Sequence, residues 1–146
     1  MQVTSATFTI QRRLLVNVAA ALSAVNALCF LSDWFVGWGF MGGSPNLFEF
    51  FQAHSAVSLV VALAASVTLV SRGALWPCIL LALDVVQLLF HALWLVIEAG
   101  ITKLVGLLPW AAYIRVSATV YLLAVFMLAA AILTGGRKGC ETNGSA

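Results

Sequence analysis

Across residues 83 to 100 the chain reads LDVVQLLFHALWLVIEAG, an apolar run interrupted by Asp84, Gln87, His91 and Glu98. Steps of three, four and seven bracket the 3.6-residue helical turn, so on a helix these four side chains and Trp94 form one stripe. An acid and an imidazole on one stripe have the chemistry to pass protons, to hold a small polar solute, or to tie helices together by hydrogen bonds. His54, within FFQAHSAVS, and Arg115, within YIRVS, are further ionisable groups in equally apolar surroundings. Two histidines on facing helices also have the donor set for haem, but two candidate ligands do not make a site, and no cofactor is expected.

Other chemistry is bounded by what is missing. No Ser stands in a G-x-S-x-G elbow, and the glycine-rich GWGFMGG lacks the Lys of a phosphate-binding loop. Cys29, Cys78 and Cys140 fit neither a redox pair nor a zinc pattern. Cys140 follows Gly135, Gly136, Arg137 and Lys138, a basic setting suited to S-acylation. The seven basic residues are scattered, with a net charge of +2, so no face is basic enough for nucleic acid. The chain is not expected to be an enzyme.

The elements that must position these residues follow from composition. Of 146 residues, 63% are hydrophobic and 8% charged, whereas a soluble domain is about half apolar and about a quarter charged. The surplus must face something other than water. A helix crossing about 30 Å of hydrocarbon needs about 20 apolar residues, because lipid offers its backbone no hydrogen bonds. Four stretches qualify: roughly Leu14–Leu31, Phe48–Val70, Leu75–Ile97 and Leu107–Leu133. The breaks carry Gly37 to Asn46, then Ser71, Arg72 and Gly73, then Gly100 to Pro109. The expected fold is all-α: one integral membrane domain of four transmembrane helices over residues 1–146, with short tails at 1–13 and 134–146. Arg12, Arg13, Arg72, Arg137 and Lys138 fall on one side against Lys103 on the other, which places both termini in the cytoplasm. Trp34 and Trp38 then suit the opposite headgroup belt.

Antiparallel threading puts His54, His91, Trp94 and Arg115 at one depth, with Glu98, Glu49 and Asp33 shallower and Gln87 and Asp84 nearer the middle. A charge at mid-bilayer costs about 2.5–3.5 kcal/mol on insertion scales, so the seam should face the other helices. Arg115 is expected to pair with Glu98 or to lie over Trp94. Asp84 is expected to bond to Gln87 or to an Asn of the first span, Asn17 or Asn26, or to carry a proton. Ala20 and Ala24, and Ser58, Ala62 and Ser66, make small-residue ridges for close helix approach.

This layout, with Arg12 and Arg13 before the first span, Arg137 and Lys138 after the last, and Ala53-His54-Ser55-Ala56 within the second, resembles the transmembrane protein 107 family. Members are small tetraspans of the ciliary transition zone. The resemblance implies a non-enzymatic scaffold at the base of the cilium that helps control membrane-protein entry, and it implies no catalytic residues.

The leading expectation is therefore a scaffold or assembly component, whose partners are membrane lipids and other transmembrane proteins through helix packing. A first alternative is a proton-coupled transporter or channel component, with Asp84 and His91 titrating and Arg115 countering Glu98. A second is an accessory membrane subunit of a respiratory or other multi-subunit complex. The acid-free start MQVTSATFTIQRR has a presequence-like composition that would place such a subunit in the mitochondrial inner membrane. Cilium or plasma membrane is the location the scaffold reading implies.

Overall fold

Residues 71–74, Ser-Arg-Gly-Ala, separate two helices, and their bonds show how a helix ends with little backbone to spare. The Ser71 N–H still donates to the Val67 carbonyl at 2.8 Å, while the Ser71 Oγ accepts from the Gly73 N–H at 3.1 Å. The next helix carries Pro77 in its first turn, where a missing N–H costs nothing because that donor has no intrahelical partner. In the computed structural model the chain forms four helices: α1 (Ser5–Gly37), α2 (Pro45–Val70), α3 (Leu75–Val105) and α4 (Leu108–Gly136). The structure describes residues 5–37, 45–105 and 108–136, with side chains described within 9–32, 52–96 and 113–134.

No strand occurs among the described residues, and all four helices are long and apolar enough to cross a membrane. Their qualifying stretches are Thr9–Ser32, Gln52–Val70, Leu75–Val96 and Tyr113–Thr134. The helices overrun the spans expected from sequence. α3 continues through Gly100 to Val105, where a break was expected, because a lone glycine costs a helix only about 1 kcal/mol and does not end it. α1 takes in Asp33 to Gly37 and begins at Ser5, so much of the stretch read as an N-terminal tail is helical. Hydroxyls inside these helices satisfy themselves on their own backbone. Ser66, Thr68, Thr119 and Thr134 each donate to the carbonyl four residues back, at 2.7–2.8 Å.

Each helix packs against the next and α4 closes on α1, while among the described residues α1 also approaches α3 across the diagonal and α2 and α4 stay apart. Neighbours run antiparallel. Arg12 meets Ala131 and Asn26 meets Ser117, the same interval along α1 and α4 in opposite senses. The buried positions step alternately by three and four: Leu80, Asp84, Gln87, His91 and Trp94 on α3, and Ile114, Ser117, Tyr121, Ala124, Leu128 and Ala131 on α4. That 3.5-residue period is the spacing of knobs-into-holes helix packing.

The interior has two parts. Toward the end where α1 starts, Ala19, Ala20, Ala65, Leu80 and Leu128 are fully buried and make an apolar layer. The polar side chains gather toward the other end. Outward positions are apolar as well, with Leu14, Leu28, Leu63, Leu89, Leu93, Leu123, Phe126 and Leu133 exposed. Of the small-residue ridges, Ala20, Ser58 and Ala62 face inward, Ala24 is half-buried, and Ser66 turns outward.

Candidate functional site

The stripe on α3 faces the bundle axis as its spacing predicts, and Asp84, Gln87, His91 and Trp94 are all buried. α2 adds His54 and Ser58, α1 adds Ser23, Asn26 and Phe30, and α4 adds Ser117 and Tyr121, all buried. From the level of His91 to that of Asp84 this cluster spans about 10 Å at the 1.5 Å rise of a helix.

At its upper level His91 bridges two contacts. Its Nδ1 lies 2.8 Å from the Gln87 carbonyl of its own helix, and its Nε2 lies 2.8 Å from the Ser117 Oγ of α4. A carbonyl only accepts, so Nδ1 carries the ring proton of the neutral imidazole, and the Ser117 hydroxyl donates to Nε2. The backbone of Ser117 is used too, since the Asn26 amide donates to its carbonyl at 2.9 Å. One residue of α4 therefore joins α3 and α1. Both ring nitrogens of His91 are occupied by protein, which leaves no lone pair for a metal in this arrangement.

His54 stands beside it in a ring stack. Its centroid is 3.9 Å from that of Phe30, 5.2 Å from Phe90 in a parallel stack, and 4.9 Å from His91 edge-on. Tyr121 closes the other side of His91 at 5.4 Å. One turn further in, the Gln87 amide donates to Ser58 Oγ at 2.6 Å, and the Ser58 hydroxyl donates to the His54 carbonyl at 2.9 Å. The side chain of α3 thus reads the backbone of α2 through one hydroxyl.

Asp84 departs from the two hydrogen-bond partners expected for it. Neither Gln87 nor an Asn of α1 holds it; Ser23 does, donating to Oδ2 at 2.7 Å. The reason is depth, because Asn26 is a turn too high on α1 and is already bonded to Ser117. Asp84 Oδ1 and the Tyr121 hydroxyl have no hydrogen-bond partner among the described residues.

Arg115 requires the larger correction. The inward phase of α4 is set by Ile114, Ser117 and Tyr121, and a residue one step past Ile114 is rotated about 100° away. Arg115 is exposed, over an apolar groove between α3 and α4 floored by Val85, Leu88 and Ala92. It takes no part in the buried hydrogen-bonded cluster. Glu98 belongs to α3, but its side chain, like those of Asp33 and Glu49, lies outside the described residues, and so does the proposed pairing with Arg115.

Sequence reasoning missed Ser23 and Ser117. Their signal was available in the three- and four-residue steps that link Ser23 to Asn26 and Ser117 to Ile114 and Tyr121. The cluster joins all four helices and can fix their rotation and register. Among the described residues no group of three or more His, Cys, Asp or Glu side chains is placed to hold a metal ion. Comparison with known proteins adds no relative, since no protein-family model, no curated protein and no solved structure matches the chain.

Proposed function

We propose that this chain is a membrane-embedded scaffold or assembly component without catalytic activity, whose polar interior sets helix register and whose apolar exterior meets lipid and the spans of partner proteins. The observation that carries this reading is the use of the buried polar groups. Ser23 with Asp84, Gln87 with Ser58, His91 with Ser117, and Asn26 with the Ser117 carbonyl each join two different helices. Interhelical bonds in lipid contribute about 0.6 kcal/mol each on average, so four of them favour one arrangement without dominating stability. A continuous route for protons would need polar groups at both ends, and the layer of Ala20, Ala65, Leu80 and Leu128 closes one end.

The family resemblance extends the proposal to the base of the cilium, where such a scaffold would help control which membrane proteins enter. Imaging of the tagged full chain tests the location. A ring at the ciliary base supports it, whereas a mitochondrial pattern supports the accessory-subunit reading instead.

The function itself is tested with Asp84→Asn and Asp84→Leu in two assays. Proteoliposomes carrying the wild-type chain and an internal pH dye should acidify no faster than empty liposomes under a proton gradient. Co-purification of neighbouring membrane proteins in mild detergent should fall for Asp84→Leu. Proton flux that disappears in Asp84→Asn, with co-purification unchanged, would overturn the scaffold in favour of a transporter.

A further inference from the structure

At the end of the bundle where α1 begins, a cavity of about 200 Å³ opens between the first turns of α1 and the turn joining α2 to α3. Its lining is unlike the rest of the surface. Arg12, Arg13 and Arg72 line it, together with Asn17, Thr68 and Ser71. Arg12 is half-buried and anchored, its Nε donating to the Ala131 carbonyl at 2.8 Å, so its remaining N–H groups are held in place. Arg13 and Arg72 are exposed. The nearest acid along α3, Asp84, is two turns deeper and bonded to Ser23.

Like charges gathered around a hollow repel one another unless something negative sits among them. Gly73 and Ala74, which lead into α3, also line the cavity, with the Gly73 N–H already bonded to Ser71 Oγ. At about 30 Å³ per water the cavity has room for several waters or one phosphate group, and it is smaller than a typical organic-ligand pocket.

We propose that this cavity binds the phosphate headgroup of an anionic glycerophospholipid from the adjacent leaflet. Lipid is favoured over soluble phosphate by the rim. Ile10 and Leu14 on α1, Val70 at the end of α2 and Leu75 at the start of α3 are all exposed within three residues of an arginine in sequence, and acyl chains attached to the headgroup would lie along them. Basic pockets between membrane helices recognise lipid headgroups in this way, with Arg supplying paired donors. The site is separate from the inner polar cluster and is independent of the scaffold assignment.

The test is native mass spectrometry of the full chain in detergent, offered phosphatidylglycerol and phosphatidylcholine in equal amounts. One phosphatidylglycerol should be retained in preference to phosphatidylcholine. Retention should fall about tenfold or more in Arg13→Gln/Arg72→Gln, since each surface arginine contributes about a factor of five toward an anionic lipid. Arg115→Gln, which removes an exposed arginine elsewhere, should leave retention unchanged. Equal retention of the two lipids, undiminished binding in the double variant, or an equal loss in Arg115→Gln would each overturn the site. Displacement of the lipid by excess inorganic phosphate would reassign the cavity to a soluble anion and overturn the lipid claim. If the double variant does not fold, the single variants and a salt titration of the wild type carry the same test, because raised ionic strength should erase the preference.

Discussion

Ser23 and Asp84 meet across the diagonal of the bundle, Oγ to Oδ2 at 2.7 Å, where α1 and α3 approach each other. The bond is short and buried, and the second carboxyl oxygen has no partner among the described residues. Ser23→Ala should therefore leave the whole carboxyl group without a donor. In a soluble core that costs about 1–3 kcal/mol, but a chain unfolded within lipid finds other partners, and measured values there reach only about 1.7. We expect a loss of about 1 kcal/mol for Ser23→Ala and less for Asp84→Asn, whose amide oxygen still accepts. Unfolding in mixed micelles measures both, and a neutral Ser23→Ala would show that the contact carries no stability.

His91 is expected to be the neutral tautomer with its proton on Nδ1, because that nitrogen faces the Gln87 carbonyl. Nitrogen NMR of histidine-labelled protein distinguishes the two ring nitrogens. A protonated Nε2 with a bare Nδ1 would contradict the geometry. Ser117→Ala should then shift the Nε2 resonance strongly and the Nδ1 resonance little, since it removes the hydroxyl donor at 2.8 Å.

Arg115 supplies a contrasting expectation. Removing one partner of a buried ion pair costs about 3–5 kcal/mol, whereas substitutions at exposed positions usually stay within about 0.5 kcal/mol. With its side chain on the outside of the α3–α4 groove, Arg115→Gln should change the unfolding midpoint by the smaller amount. A large loss would return the residue to the interior.

How much of this could be read from the chain follows from what a polar residue reveals in an apolar helix. On α3 the face was legible, because Asp84, Gln87 and His91 break a hydrophobic background at helical spacing and cannot face hydrocarbon cheaply. On α4 it was not. Its interior side is Ala124, Leu128 and Ala131 and its exterior side is Leu122, Leu123 and Phe126, so both faces are apolar and no hydrophobic contrast marks the phase. The single charge on that helix then drew the inward assignment to Arg115, although a long side chain near a span's end can reach polar surroundings from outside. Ser23 and Ser117 were passed over because a lone serine is unremarkable in a span, where it can bond its own backbone.

The small buried residues define a further expectation. Ala19, Ala20, Ala65, Ala124 and Ala131 are fully buried, which lets the helices approach closely around Leu80 and Leu128. Ala65→Leu should overpack this layer and cost about 1–3 kcal/mol. Ala21→Leu, at an exposed position of α1, should be close to neutral in the same unfolding assay. Equal effects from the two would mean that the layer is loosely filled.

The Ser23–Asp84 contact also bears on the order of synthesis. An aspartate near the centre of a helix weighs against release from the translocon into lipid by about 2.5–3.5 kcal/mol, and the group that satisfies it was made sixty-one residues earlier, on α1. In the proposed membrane-embedded scaffold, joint release of the first hairpin and α3 would let Ser23 meet Asp84 before the carboxyl group faces lipid.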